Sequence, residues 1–236
     1  MSKRKKIRLQ MLGRKLIAFI NPTSMISEQY RTVRTNIKFA MPDLDVKTIL
    51  FTSASPGEGK STTAANVGIV FAQEGKKVLL IDSDMRKPSM HYTFQTTNSP
   101  GLSNILSKQW SVADVIQKTF IEGLDIIPCG QIPSNPAELL GSSMLDSLIN
   151  AMKVKYDVII IDAPPVLTVA DAQILANKCD GTILVVSTKK TKKESIIRAI
   201  EVLHSSKAKI LGTVLNNYKI KSDGNYYHYY RSFELD

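Results

Sequence analysis

The segment Ala54–Thr62, ASPGEGKST, holds the residues best suited to chemistry on a polyphosphate. Gly57 and Gly59 let successive backbone N–H groups turn inward, because no Cβ obstructs them. A helix beginning near Ser61 adds the positive end of its dipole. Lys60 then reaches β- and γ-phosphates, and the Ser61 hydroxyl takes a position on Mg²⁺. The predicted ATP cradle is Pro56, Gly57, Glu58, Gly59, Lys60, Ser61 and Thr62. Ala54 stands where the strict pattern has its first glycine. The plain alternative is an ordinary glycine-rich turn. Gly-Lys-Ser-Thr between a strand and a helix favours the nucleotide.

Two acidic strand ends extend the site. Asp162 closes YDVIIID, while Asp82 and Asp84 follow VLLI in VLLIDSDMRKP. A carboxylate at the C-terminal tip of a parallel strand, beside a phosphate loop, is placed to hold Mg²⁺ through water. The expected metal residues are Ser61, Asp84 and Asp162. Asp82 is the expected base, because Asp162 is committed to the metal, and Lys60, Asp82 and Asp84 form the predicted catalytic set. A lone strand-ending aspartate would read as a cap. Two such ends beside a phosphate loop read as one metal and phosphate site. Asn216, at the end of ILGTVLN, either pairs with the adenine edge or simply ends a turn.

Tyrosine clusters near the end of the chain, at Tyr218, Tyr226, Tyr227, Tyr229 and Tyr230. Alone, NYYHYYRSF reads as an aromatic patch that docks on a partner or stacks on bases. Beside an ATP site it becomes a phosphoryl acceptor, with Tyr226, Tyr227, Tyr229 and Tyr230 as the candidate hydroxyls.

These residues need a scaffold, and the apolar pattern supplies one. Residues 47–53, 77–82, 124–130, 156–162, 181–187 and 208–216 read as strands. Residues 27–40, 61–75, 137–155 and 192–206 read as helices, with a break at Gly141. Strands this apolar must be covered on both faces, and alternation with helices implies parallel pairing by right-handed crossovers. The expected fold is α/β: a mostly parallel central sheet of about six to eight strands with helices on both faces, ending in a flexible tyrosine-rich tail. The predicted layout is a basic arm at 1–24, a P-loop domain at 25–216 and the tail at 217–236.

Composition narrows the function classes. With 236 residues, 43% hydrophobic and 22% charged, the chain can build its own core and is not wholly disordered. No apolar run approaches a membrane span, and LIAFI is too short for a secretory signal. Cys129 and Cys179 lack metal spacing, and His91, His204 and His228 are scattered, which excludes disulfide scaffolds and zinc enzymes. The net charge of +10 allows nucleic acid, an anionic membrane surface or a phosphorylated ligand. Part of it lies in the arm (Lys3, Arg4, Lys5, Lys6, Arg8, Arg14, Lys15) and part in the cluster Lys189, Lys190, Lys192 and Lys193. The arm reads either as a solvated tail or as a membrane-surface anchor.

SPGEGKST, VLLIDSDMR and VIIIDAPP in this order, followed by the tyrosine cluster, resemble the bacterial tyrosine kinases of capsular and exopolysaccharide systems in Gram-positive bacteria. The resemblance covers residues 25–236. It implies a fold like that of the partitioning ATPases, use of ATP and Mg²⁺, and autophosphorylation of the tail in trans. It implies a ring-shaped homo-oligomer, an octamer, built through the EQYRTVR motif at Glu28, Arg31 and Arg34. It further implies a membrane-spanning activator that brings a cytoplasmic kinase to the inner face of the membrane, protein substrates in polysaccharide synthesis, and no nucleic-acid partner. From spacing alone, Glu28, Arg31 and Arg34 merely line one side of a helix as a solvated face.

The main competing reading is a partitioning or positioning ATPase that acts as a nucleotide-switched dimer. Those proteins usually carry a second lysine near the position of Ser55, and many end in an amphipathic helix rather than a tyrosine tail. A nucleic-acid-binding module would leave Gly57–Ser61, Asp82 and Asp162 without a role.

Overall fold

The computed structural model describes residues 16–40 and 46–219. The basic residues 1–15 and the tyrosines Tyr226, Tyr227, Tyr229 and Tyr230 lie outside the described residues. The chain enters through α1 (Ile17–Ile20) and α2 (Met25–Ala40), then forms β1 (Thr48–Ser53), α3 (Lys60–Gln73) and β2 (Val78–Asp82). Three short helices follow, α4 (Met90–Phe94), α5 (Leu102–Leu106) and α6 (Val112–Val115), before β3 (Gln117–Lys118) and β4 (Leu124–Ile127). Next come α7 (Pro136–Gly141), α8 (Ser143–Lys155), β5 (Val158–Asp162) and α9 (Asp171–Lys178). The described residues close with β6 (Gly181–Ser187), α10 (Lys193–Ser205) and β7 (Ile210–Asn216).

The seven strands form one sheet in the order β3-β4-β2-β5-β1-β6-β7. Every pairing is parallel except β3 with β4 at the edge. Alternation along each strand splits the core into two layers, one on each face. Leu50, Leu79, Ile81, Ile159, Ile161 and Leu184 face α8, α9 and α10. Ile49, Phe51, Leu80, Ile160, Ile183 and Val185 face α2 and α3. The central strands β1, β2, β5 and β6 are buried along their whole length. This is why they read as continuous apolar runs rather than alternating ones. Helix α3 runs through the second layer and is buried from Thr63 to Ala72.

The predicted α/β sheet forms, with differences: the short helices α4, α5 and α6 leave no long stripe in the sequence. Helix α9 was not expected, because DAQILANK mixes polar and apolar residues without a long stripe. The two-residue β3 is too short to leave a pattern. A further difference is at the N-terminus. Residues 16–20, expected to belong to the arm, pack against the α3 layer. Leu16 and Ala18 are fully buried in the α3 layer. The Ala18 N–H donates to Asn66 Oδ1 at 3.0 Å, and Gln73 Nε2 donates to the Ala18 carbonyl at 2.8 Å. LIAFI is thus a one-turn helix docked on α3. No helix among the described residues is long and apolar enough to cross a membrane.

Truncating Leu16 tests that docking. Leu16→Ala should cost about 2–5 kcal/mol in urea unfolding, the usual range for a buried leucine. A loss within about 0.5 kcal/mol, as at an ordinary surface site, would return residue 16 to the arm.

Candidate active site

The site stands at the C-terminal edge of β1, β2 and β5, where open parallel sheets bind ligands. Between β1 and α3 the chain makes a tight loop. Gly57 and Gly59 take φ of +78° and +97°, which side chains rarely adopt. A Cβ on Gly59 would also lie 1.9 Å from Asn216 Nδ2. Gly59 caps α3 without a side-chain hydrogen bond, so the first N–H groups of the helix remain available to an anion.

Glu58 belongs to the loop through its backbone. Its side chain turns inward and is almost fully buried. Its Oε2 accepts the Ala54 N–H at 3.1 Å and its Oε1 accepts the Thr191 hydroxyl at 2.7 Å. The carboxylate braces the loop from behind, and only its backbone is left to meet phosphate. Asn216 braces it from the side, with Nδ2 donating to the Glu58 carbonyl at 2.9 Å. Pro56 and Gly57 are exposed.

Lys60 lies among three carboxylates. Its Nζ is 2.8 Å from Asp84 Oδ2 and 3.6 Å from Asp162 Oδ1, and it donates to Ser61 Oγ at 3.1 Å. Burial pulls its pKa down, but the charges of Asp162, Asp84 and Asp82 together hold it above the ordinary lysine value. Asp82 and Asp162 are register partners across β2 and β5, so both carboxylates sit at one level of the sheet. Asp82 Oδ2 accepts the N–H groups of Ser89 and Met90, each at 3.0 Å, and Oδ1 accepts the Asp84 N–H at 3.2 Å. Full burial, and then the charge of Asp162, lift the Asp82 carboxyl to about 7 against the lowering effect of Met90, Lys60 and Ser89. Asp162 is also raised, chiefly by burial, which outweighs Lys60. The acidic loop is tied down further by Arg86, whose Nε and Nη2 each lie 3.0 Å from the Asp171 carboxylate.

Among the described residues, neither oxygen of the fully buried Asp162 has a hydrogen-bond partner. No three His, Cys, Asp or Glu among them close into a metal cage. Both observations fit a phosphate-loop Mg²⁺ site, where a hydroxyl, water held by a carboxylate, and substrate oxygens complete the shell. Ser61, Asp84 and Asp162 suit that ion.

A cavity of about 330 Å³ opens beside the loop. Ile17, Ile20, Ile26 and Tyr30 form its apolar wall, and Thr62 and Asn216 contribute polar groups. Small-molecule sites have this character, apolar with a few placed polar groups. Ile17 and Ile20 of the apolar wall lie in LIAFI, which the sequence reads as arm, and Ile26 and Tyr30 carry no spacing signal for a pocket. Thr191 was missed because STKKTKK carries no spacing signal.

Lys60, Ser61, Asp82, Asp84, Asp162 and Asn216 thus converge on one edge, as the motifs required. Glu28, Arg31 and Arg34 do not join them. Arg31 pairs with Glu28 and donates to the Pro22 carbonyl at 2.8 Å. Arg34 donates to the Val70 carbonyl in the last turn of α3 at 2.7 Å.

A family model described as an AAA domain matches residues 46–213. The tyrosine-protein kinase YwqD of Bacillus subtilis (strain 168) is 49% identical over 218 residues, 92% of each chain. The crystal structure of the chimerical protein CapA2B2 superposes with a TM-score of 0.84 at 42% identity, covering 87% of this chain and 91% of that one. The septum site-determining protein MinD of Pyrococcus horikoshii OT3, complexed with Mg-ADP, superposes at 0.63 with 26% identity, covering 73% of this chain and 70% of that one.

The brace behind the loop has a measurable consequence. Glu58→Ala leaves the Ala54 N–H and the Thr191 hydroxyl without their acceptor. A stability loss of about 1–3 kcal/mol is expected, as for other unsatisfied buried donors, together with weaker ADP binding in calorimetry. Unchanged stability and affinity would show that Glu58 braces nothing.

Proposed function

The chain belongs to the family of bacterial tyrosine-protein kinases, and we propose that it transfers the γ-phosphoryl group of ATP to tyrosines of its own C-terminal segment, in trans. The observation that carries this reading is the cluster at the strand tips: Lys60 clamped by Asp84 and Asp162, beside a helix N-terminus without a side-chain cap. In this reading the loop backbone from Gly57 to Thr62 holds the phosphates, and Lys60 stabilises charge on the γ-phosphoryl group. The purine lies against Ile17, Ile20, Ile26 and Tyr30, with Asn216 at its edge. Ser61, Asp84 and Asp162 would hold Mg²⁺. When bound, that ion neutralises charge on the phosphate oxygens.

The tyrosine hydroxyl attacks the γ-phosphorus as the bond to the β–γ bridging oxygen breaks, and ADP leaves. The phenol proton passes to Asp82. A carboxylate offers about four acceptor sites, and the Asp82 backbone bonds occupy three of them, leaving one on Oδ1. A loose transition state needs little early deprotonation, so Asp82 acts chiefly by orienting the phenol and accepting its proton late. Chain length supports this reading: β7 ends at Asn216, against the phosphate loop, and ten residues of extended chain span roughly 33–36 Å.

Further parts of the proposal rest on the family. They are a ring through Glu28, Arg31 and Arg34, a membrane-spanning activator that recruits the kinase to the inner face of the membrane, and protein substrates in capsular or exopolysaccharide synthesis. Glu28 and Arg31 keep enough exposure to exchange their mutual pair for one across an interface.

With MgATP, mass spectrometry should place phosphate on Tyr226, Tyr227, Tyr229 or Tyr230. Asp82→Ala should lower the phosphorylation rate about 10²–10⁴-fold, the range for loss of a general base, while ADP affinity stays within about threefold. A wild-type rate would remove Asp82 as the base. The trans assignment has its own check. A Lys60→Met chain, inactive but with its tyrosines intact, is mixed with an active chain whose four tail tyrosines are phenylalanine. Phosphotyrosine should appear on the Lys60→Met chain, and its absence would assign transfer to the same chain.

A further inference from the structure

The lysine cluster 189–193 has no part in the mechanism so far, yet the fold carries it to the phosphate loop. We propose that Lys190 is a second phosphate-binding lysine, delivered to the triphosphate from the turn between β6 and α10. A Cβ built on Gly57 would stand 3.3 Å from Lys190 Nζ, so this ammonium lies against the exposed face of the loop.

The placement is fixed by the turn. The N–H groups of Lys190 and Thr191 donate to the Ser187 carbonyl at 3.0 and 2.9 Å, and the Thr188 N–H donates to the Asn216 carbonyl at 3.0 Å. The Thr191 hydroxyl accepts the Ser187 N–H at 2.9 Å and donates to Glu58 at 2.7 Å. The turn is therefore tied at both ends to the residues that brace the phosphate loop. Among the described residues, Lys190 has no carboxylate partner.

Charge explains why a polyphosphate is the fitting ligand. The loop itself has one lysine, Lys60, and Asp84 and Asp162 already offset its charge. A triphosphate entering beside these carboxylates needs further positive charge, and Lys190 is a cation already lying on the loop. An ammonium on a flexible stem binds phosphate as a point charge.

This inference rests on the nucleotide reading of the loop, and the test separates the two. Calorimetry with Mg²⁺ and a non-hydrolysable ATP analogue compares the wild type with Lys190→Met, Lys190→Arg and Lys189→Met. Lys190→Met should weaken binding about tenfold, or about 1.4 kcal/mol. Lys190→Arg should stay within about twofold and Lys189→Met should match the wild type, with all urea midpoints unchanged. Wild-type affinity in Lys190→Met would overturn the assignment. So would an equal loss in Lys189→Met, which would mean a diffuse surface charge. A wild-type chain that binds no analogue would overturn the nucleotide reading and this inference with it.

Discussion

Three buried carboxylates share one lysine at the tips of the central strands, and this imbalance governs the site. Asp82 and Asp162 are fully buried and Asp84 nearly so, while Lys60 is an ammonium that reaches Asp84 and Asp162. Isolated buried charge is costly, and it persists where hydrogen bonds, partners or a metal offset it. Asp82 is offset by backbone N–H groups and Asp84 by Lys60, while Asp162 meets Lys60 only at 3.6 Å, beyond hydrogen-bond distance. In the proposed function, that is where a divalent cation would bind and offset the charge of phosphate, which Lys60 alone would answer poorly.

The sheet produces this arrangement through register rather than through any one contact. β5 lies between β1 and β2, so Asp162 is level with Asp82 on one side and Phe51 on the other. The chain leaves β1 two residues past Phe51 and folds into the phosphate loop. A one-residue slip of a strand would turn its terminal aspartate to the other face. The two apolar layers that hold the register therefore also hold the chemistry. The loop is fastened as firmly, by Glu58 within, by Thr191 from the turn after β6 and by Asn216 at the end of β7.

Much of this was legible in the sequence, because the relevant signals are local. A phosphate loop is contiguous, and VLLID and VIIID each carry an aspartate where an apolar run stops. Parallel strands follow from runs too apolar to face water. What could not be read depends on residues distant in sequence. Thr191 meets Glu58 across 133 positions and Asn216 meets it across 158. LIAFI is five residues with no periodicity of its own, and only the surface of α3 makes it a docked turn and a pocket wall. Arg34 shows the opposite limit. Its motif invites an interface, yet in the single chain it caps the end of α3, a role that spacing alone does not separate from a solvated face.

The same imbalance bears on why the acceptor would leave after transfer. An unmodified tyrosine is neutral below its pKa near ~10, so it approaches an acidic cluster without repulsion. Once modified, it carries about −1.5 to −2 charges. It then faces Asp82, Asp84 and Asp162, with Lys60 already shared between two of them. Substrate and product therefore differ in charge at the position where the site is least able to accept more of it. In the proposed function, the site would thus hold its phosphorylated product weakly, and one active edge could serve several tyrosines in turn.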